Sequence, residues 1–78
     1  MGSDMKTENL VMMVNRIGDF FEVMPNRQEG YLGVVTHVKK FWEPRMRKAL
    51  KQHLDECSGR GIKPFVLEAL KAHESDWV

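Results

Sequence analysis

The chain has 78 residues, a formal net charge of +1 and a single cysteine, Cys57. That length makes one small domain with a thin core, because a chain this short buries only about 60% of its unfolded surface. One cysteine excludes an internal disulfide framework and fits a reducing compartment; no apolar run approaches the ~18 residues of a membrane span, and no signal-peptide pattern opens the chain.

Residues 1–6 are expected to be a loose N-terminus, and Met1-Gly2-Ser3 has the form of a cloning remnant. Lys6 stands where a myristoylation motif needs Ser or Thr. A first amphipathic helix follows, with Thr7 as N-cap, Glu8 in its first turn, and Leu10, Met13, Val14, Ile17, Phe20, Phe21 and Met24 on one core-facing arc. Pro25 ends it. Gly18 costs about 1 kcal/mol against Ala inside a helix, so its presence points to the close approach of another backbone. Met12 and Val23 lie together on the opposite face, as ordinary exposed groups or as part of a partner surface.

Asn26 and Glu29 have capping-box spacing, which predicts the start of a second helix. Tyr31, Val34, Val35, Val38, Phe41 and Trp42 then share an arc. The β-branched run GYLGVVTHV makes a strand the competing reading, but adjacent Val34 and Val35 break the alternation a strand needs. Gly30, Gly33 and His37 flank the arc, where small residues let another helix lie close. Pro44 forces a break and suits the first position of a third helix, whose stripe is Met46, Ala49, Leu50, His53, Leu54 and Cys57. Ser58-Gly59-Arg60-Gly61 supplies the left-handed residue at a helix end. Pro64 opens a shorter fourth helix with Phe65, Val66, Ala69 and Leu70, and residues 74–78 read as a polar tail apart from Trp77 and Val78. The prediction is an all-α bundle of three main helices and a short C-terminal one, forming a single domain over residues 7–73.

These residues offer few of the constellations that carry chemistry. His53 and Cys57 at i,i+4, with His37, resemble a partial metal set, but too few ligands are present and a packed core pair is the stronger reading. Cys57 near a helix C-terminus beside Asp55 and Glu56 is poorly placed to be a nucleophilic thiolate. No phosphate-binding loop or dinucleotide fingerprint occurs. The basic middle carries eight Lys/Arg against three acids over residues 31–63. Within it Lys39, Lys40, Arg45, Arg47, Lys48 and Lys51 surround Phe41 and Trp42, so a small nucleic-acid-binding protein is one reading. A sequence pI near 7.9 is low for that role. A protein-interaction module is the other reading, since Trp, Met and Arg are favoured interface anchors.

The run His37-x-x-Lys40-Phe41-Trp42-Glu43-Pro44-Arg45-Met46-Arg47 resembles the signature of the delta subunit of NAD-dependent, molybdenum-containing formate dehydrogenase. Asn15-x-Ile17-Gly18-x-Phe20-Phe21, His53-Leu54, Gly61-Ile62-x-Pro64 and Ala69-Leu70 extend the resemblance over about residues 9–71. Glu43 departs from the Asp usual before the proline, and the stretch from Ala72 has no counterpart. The resemblance implies a non-catalytic accessory subunit of a cytoplasmic complex, bound to the catalytic alpha subunit and supporting its assembly or stability. Molybdopterin, iron–sulfur clusters, FMN and NAD would sit on other subunits, with no metal or cofactor on this chain. Isolated, such a chain is open to self-association. Within the signature, Phe41, Pro44 and Met46 are expected to form the structural corner together with His37. Trp42, Arg45, Arg47 and Lys48, with Met12 and Val23, are expected to meet the partner.

Overall fold

In the computed structural model, which describes residues 6–78, every regular element is a helix. The expectations for residues 1–5 lie outside the described residues. The helices are α1 (Thr7–Glu22), α2 (Arg27–Phe41), α3 (Pro44–Cys57), α4 (Pro64–Ala72) and α5 (Glu74–Trp77). None is long and apolar enough to cross a membrane.

Local chemistry sets most boundaries. Asn26 Oδ1 accepts from the Glu29 N–H at 3.1 Å and caps α2. Pro44 and Pro64 open α3 and α4, where a missing N–H costs nothing. Ser58 ends α3 with φ 54°, and Gly59 and Gly61 follow with φ 73° and 88°. One cap is shifted: Lys6, extended, is the N-cap of α1, and Thr7 is the first helical residue. The Lys6 carbonyl accepts from the N–H groups of Asn9 and Leu10, which starts the helix at the residue expected to cap it.

α2 is the central element and packs on α1, α4 and α5, while α3 packs on α1. Its buried face (Tyr31, Val34, Val35, Val38) meets Leu10 and Val14 of α1 and Phe65, Val66, Ala69 and Leu70 of α4 in one core. The helices approach closely at glycines. A Cβ on Gly18 would stand 2.2 Å from Val66 Cγ2, and one on Gly33 would stand 2.3 Å from the Phe21 ring.

Four expectations are corrected. The inward face of α1 centres on Leu10, Val14 and Gly18, which leaves Met13, Phe20 and Met24 exposed. Contact of Val66 with Gly18 turns α1 toward that edge of its stripe. Phe41, expected in the core, is 68% exposed, whereas Trp42 beside it is 5% exposed. His53 and Cys57 are not a core pair: Cys57 is exposed, and His53 Nε2 lies 2.8 Å from the Arg60 carbonyl oxygen. Finally, the stretch read as a tail forms α5, and Trp77 is fully buried. Its indole Nε1 donates to the Leu70 carbonyl at 2.9 Å, which removes the cost of burying that N–H.

Candidate partner-binding surface

The corner between α2 and α3 follows from Pro44. Proline excludes helical geometry at the residue before it, so Glu43 is extended (φ −65°, ψ 152°), as is Trp42 (φ −90°, ψ 138°). The chain turns there, and the Trp42 side chain drops into the core. Trp42 therefore belongs to the domain interior rather than to a partner-facing surface. Met46 is half-buried against the same core.

The two arginines divide. Arg45 is exposed, with Glu43 3.9 Å away. Arg47, expected to reach outward, turns back: Nη1 donates to the carbonyls of Lys39 at 3.1 Å and Trp42 at 3.0 Å. The last carbonyls of a helix lack intrahelical partners and carry partial negative charge, so a guanidinium satisfies them both as donor and as cation. Lys48 is exposed on α3.

Large apolar side chains face water nearby. On α1 and at its C-cap these include Met12 at 55% exposure, Phe20 at 72% and Val23 at 81%. Phe20 meets Phe21 edge to face, with centroids 5.0 Å apart. Phe21 in turn rests on Gly33 and forms one wall of a trough of about 400 Å³. Leu32, Thr36, His37, Lys40 and Phe41 complete its lining, and the His37 and Phe41 rings pack at 4.7 Å between centroids. The α1 face and the trough thus join at the Phe20–Phe21 contact.

Much of the positive charge is used internally. Lys51 pairs with Asp55 at 2.7 Å and Glu74 at 2.9 Å, Lys63 with Asp19 at 2.7 Å, and Arg27 with Glu68 at 2.7 Å. Asp55, then Glu74, holds the Lys51 ammonium above its ordinary pKa, and Asp19 does the same for Lys63. Of the six clustered cations, Arg47 and Lys51 are therefore already engaged. Among the described residues no group of three His, Cys, Asp or Glu stands where it could hold a metal ion.

The sequence family of the NADH-dependent formate dehydrogenase delta subunit, FdsD, matches residues 9–70. The chain belongs to this family. No curated protein and no solved structure matches it. As a formate dehydrogenase delta subunit it is one component of a complex and has partner subunits. The matched range ends within α4, so α5, whose Trp77 closes the core, lies beyond it.

Two polar clamps of the delta subunit join residues far apart in the chain. Asn15 on α1 donates through Nδ2 to the Gly61 carbonyl at 3.0 Å and accepts from the Lys63 N–H at 2.9 Å. It thereby ties α1 to the turn that leads into α4. On the other side, the Tyr31 hydroxyl accepts from Arg27 Nε at 2.8 Å and donates to Glu68, while Arg27 lies over the Phe65 ring at 5.2 Å. The i,i+4 spacing of Arg27 and Tyr31 hinted at a local contact, but Glu68 is 41 residues from Arg27 and no periodicity could have paired them.

Proposed function

We propose that this delta subunit is a non-catalytic accessory chain that docks on the catalytic alpha subunit of formate dehydrogenase and supports its assembly or stability. The observation that carries the reading is the outer face of α1. Met12, Phe20 and Val23 are left in water by the domain's own packing, although Met12 and Phe20 stand on a helix with a well-formed core face and Val23 caps its C-terminus. Covering such side chains in a complex stabilises it by about 25 cal/mol per Å² of apolar area. Methionine and phenylalanine suit that role because they bury large, adaptable surfaces. Arg45 and Lys48 supply exposed cations at the neighbouring corner, and rim charges of this kind steer a partner more than they hold it.

In this reading the molybdopterin, iron–sulfur, FMN and NAD chemistry belongs to the larger subunits, and the complex works in the cytoplasm. Separated from them, the chain self-associates through the same apolar face. The test is co-expression with the other dehydrogenase subunits. The tagged chain should carry the alpha subunit through purification, and omitting it should lower the yield of active enzyme. Full activity and yield without it, together with no copurification, would sink the reading.

A further inference from the structure

We infer that the trough between Phe21 and Phe41 receives an apolar anchor from an acidic helix of a partner subunit, with Lys39 and Lys40 meeting that helix's carboxylates. The inference rests on the accessory-subunit reading and names a second contact, on α2 rather than α1.

Three observations carry it. At 100° per residue, Phe41 lies within about 20° of the azimuths of Gly30 and Val34. Those two are buried and Phe41 is exposed, so a line of core contacts stops where α2 outruns its own covering. The walls of the trough are also pre-shaped. Phe21 is seated on Gly33 and Phe41 against His37, so little freedom is lost when an anchor enters. From Gly33 to Phe41 the trough follows about 12 Å of α2, a length that two turns of a helix can match with anchors at i and i+3 or i+4.

The charge around the trough selects the partner. Lys39 and Lys40 are exposed in the last turn of α2 and, among the described residues, make no ion pair. Asp76 lines the adjacent depression with them, but its carboxylate lies 3.4 Å from His73 Nδ1. The trough itself is mostly apolar and aromatic, which suits a side-chain anchor rather than a phosphate backbone. An apolar anchor flanked by carboxylates matches both features.

The test is co-expression of full-length variants with the remaining formate dehydrogenase subunits. Phe41→Glu and Leu32→Glu alter exposed positions, so the isolated chain should keep its helical spectrum and melting temperature. Each should reduce copurification at least about tenfold, the loss typical of a removed interface anchor. Lys39→Glu with Lys40→Glu should weaken association and flatten its salt dependence, whereas Lys71→Glu on α4 should do neither. If wild type copurifies and Phe41→Glu does so equally well, the trough assignment is wrong while the accessory role stands. If wild type itself fails to copurify, the accessory reading falls and takes the trough with it. Dimerisation of the isolated chain that Phe41→Glu abolishes would assign the trough to a second copy and overturn the inference. Low-salt oligonucleotide binding lost with Lys39→Glu and Lys40→Glu would overturn it in favour of nucleic acid.

Discussion

The Arg47 guanidinium donates to the Trp42 carbonyl oxygen at 3.0 Å, joining the first turn of α3 to the corner it has just left. The same nitrogen reaches Lys39 O at 3.1 Å in the last turn of α2. One side chain thereby sets the angle of the corner from both sides. Arg47→Ala should cost roughly 1–2 kcal/mol in urea unfolding, toward the low end for bonds from a charged donor. The loss is moderated because Arg47 Nε is buried without a partner among the described residues. Arg47→Lys keeps the charge but not the planar fork, so it should recover only part of the loss.

Adjacent aromatics should behave oppositely. Phe41→Ala should change folding stability by less than about 0.5 kcal/mol, as at ordinary surface positions. Trp42→Ala and Trp77→Ala should each cost roughly 3–5 kcal/mol, comparable to the whole stability expected of so small a domain. Thermal melts of the three variants would separate them clearly. A Phe41→Ala chain that melts like Trp42→Ala would contradict the exposed placement of the ring.

Gly18→Ala carries two effects of opposite sign. Helix propensity favours Ala by about 1 kcal/mol. The added methyl, however, would sit 2.2 Å from Cγ2 of Val66, which is fully buried. Overpacking of this kind costs about 1–3 kcal/mol, so the net change should be destabilising. Combining Gly18→Ala with Val66→Ala should give less than the sum of the single losses, and a double-mutant cycle would measure the coupling.

Acid should loosen the joint between α2 and α4. The hydrogen bond from Tyr31, then the Arg27 guanidinium, holds the Glu68 carboxyl below its ordinary value of 4.5. A carboxylate with a lowered folded pKa contributes stability in full above its unfolded value. That contribution is lost as pH falls through the folded value. The stability gap between wild type and Glu68→Gln should therefore be constant near neutrality and narrow below about pH 4.5, the ordinary value. Tyr31→Phe should shrink the gap near neutrality and let it close at a higher pH, because it removes the leading cause of the shift, while the onset stays at the value of the unfolded carboxyl. Urea midpoints measured from pH 3 to 7 would show both effects, the range being set about the unfolded carboxylate pKa.

The chain's own letters determined the number and order of the main helices. Pro25, Pro44 and Pro64, the Asn26 cap and the left-handed turn at Ser58-Gly59 act within a few residues, so they are legible without a fold. The FWEPRMR run likewise pointed to the family that matches residues 9–70. Tertiary structure decided which part of each stripe is covered. The apolar arc of α1 is wider than the core requires, and contact between Gly18 and Val66 chose one edge of it. Phe41 and Trp42 are neighbours in sequence, yet the break at Pro44 turns one into the core and leaves the other beyond the reach of any covering helix. Arg47 faces inward because the carbonyls of Lys39 and Trp42 come within its reach only after the corner has folded. Trp77 seals the core because α5 packs back on α2, a contact between residues far apart in the chain that no local pattern encodes.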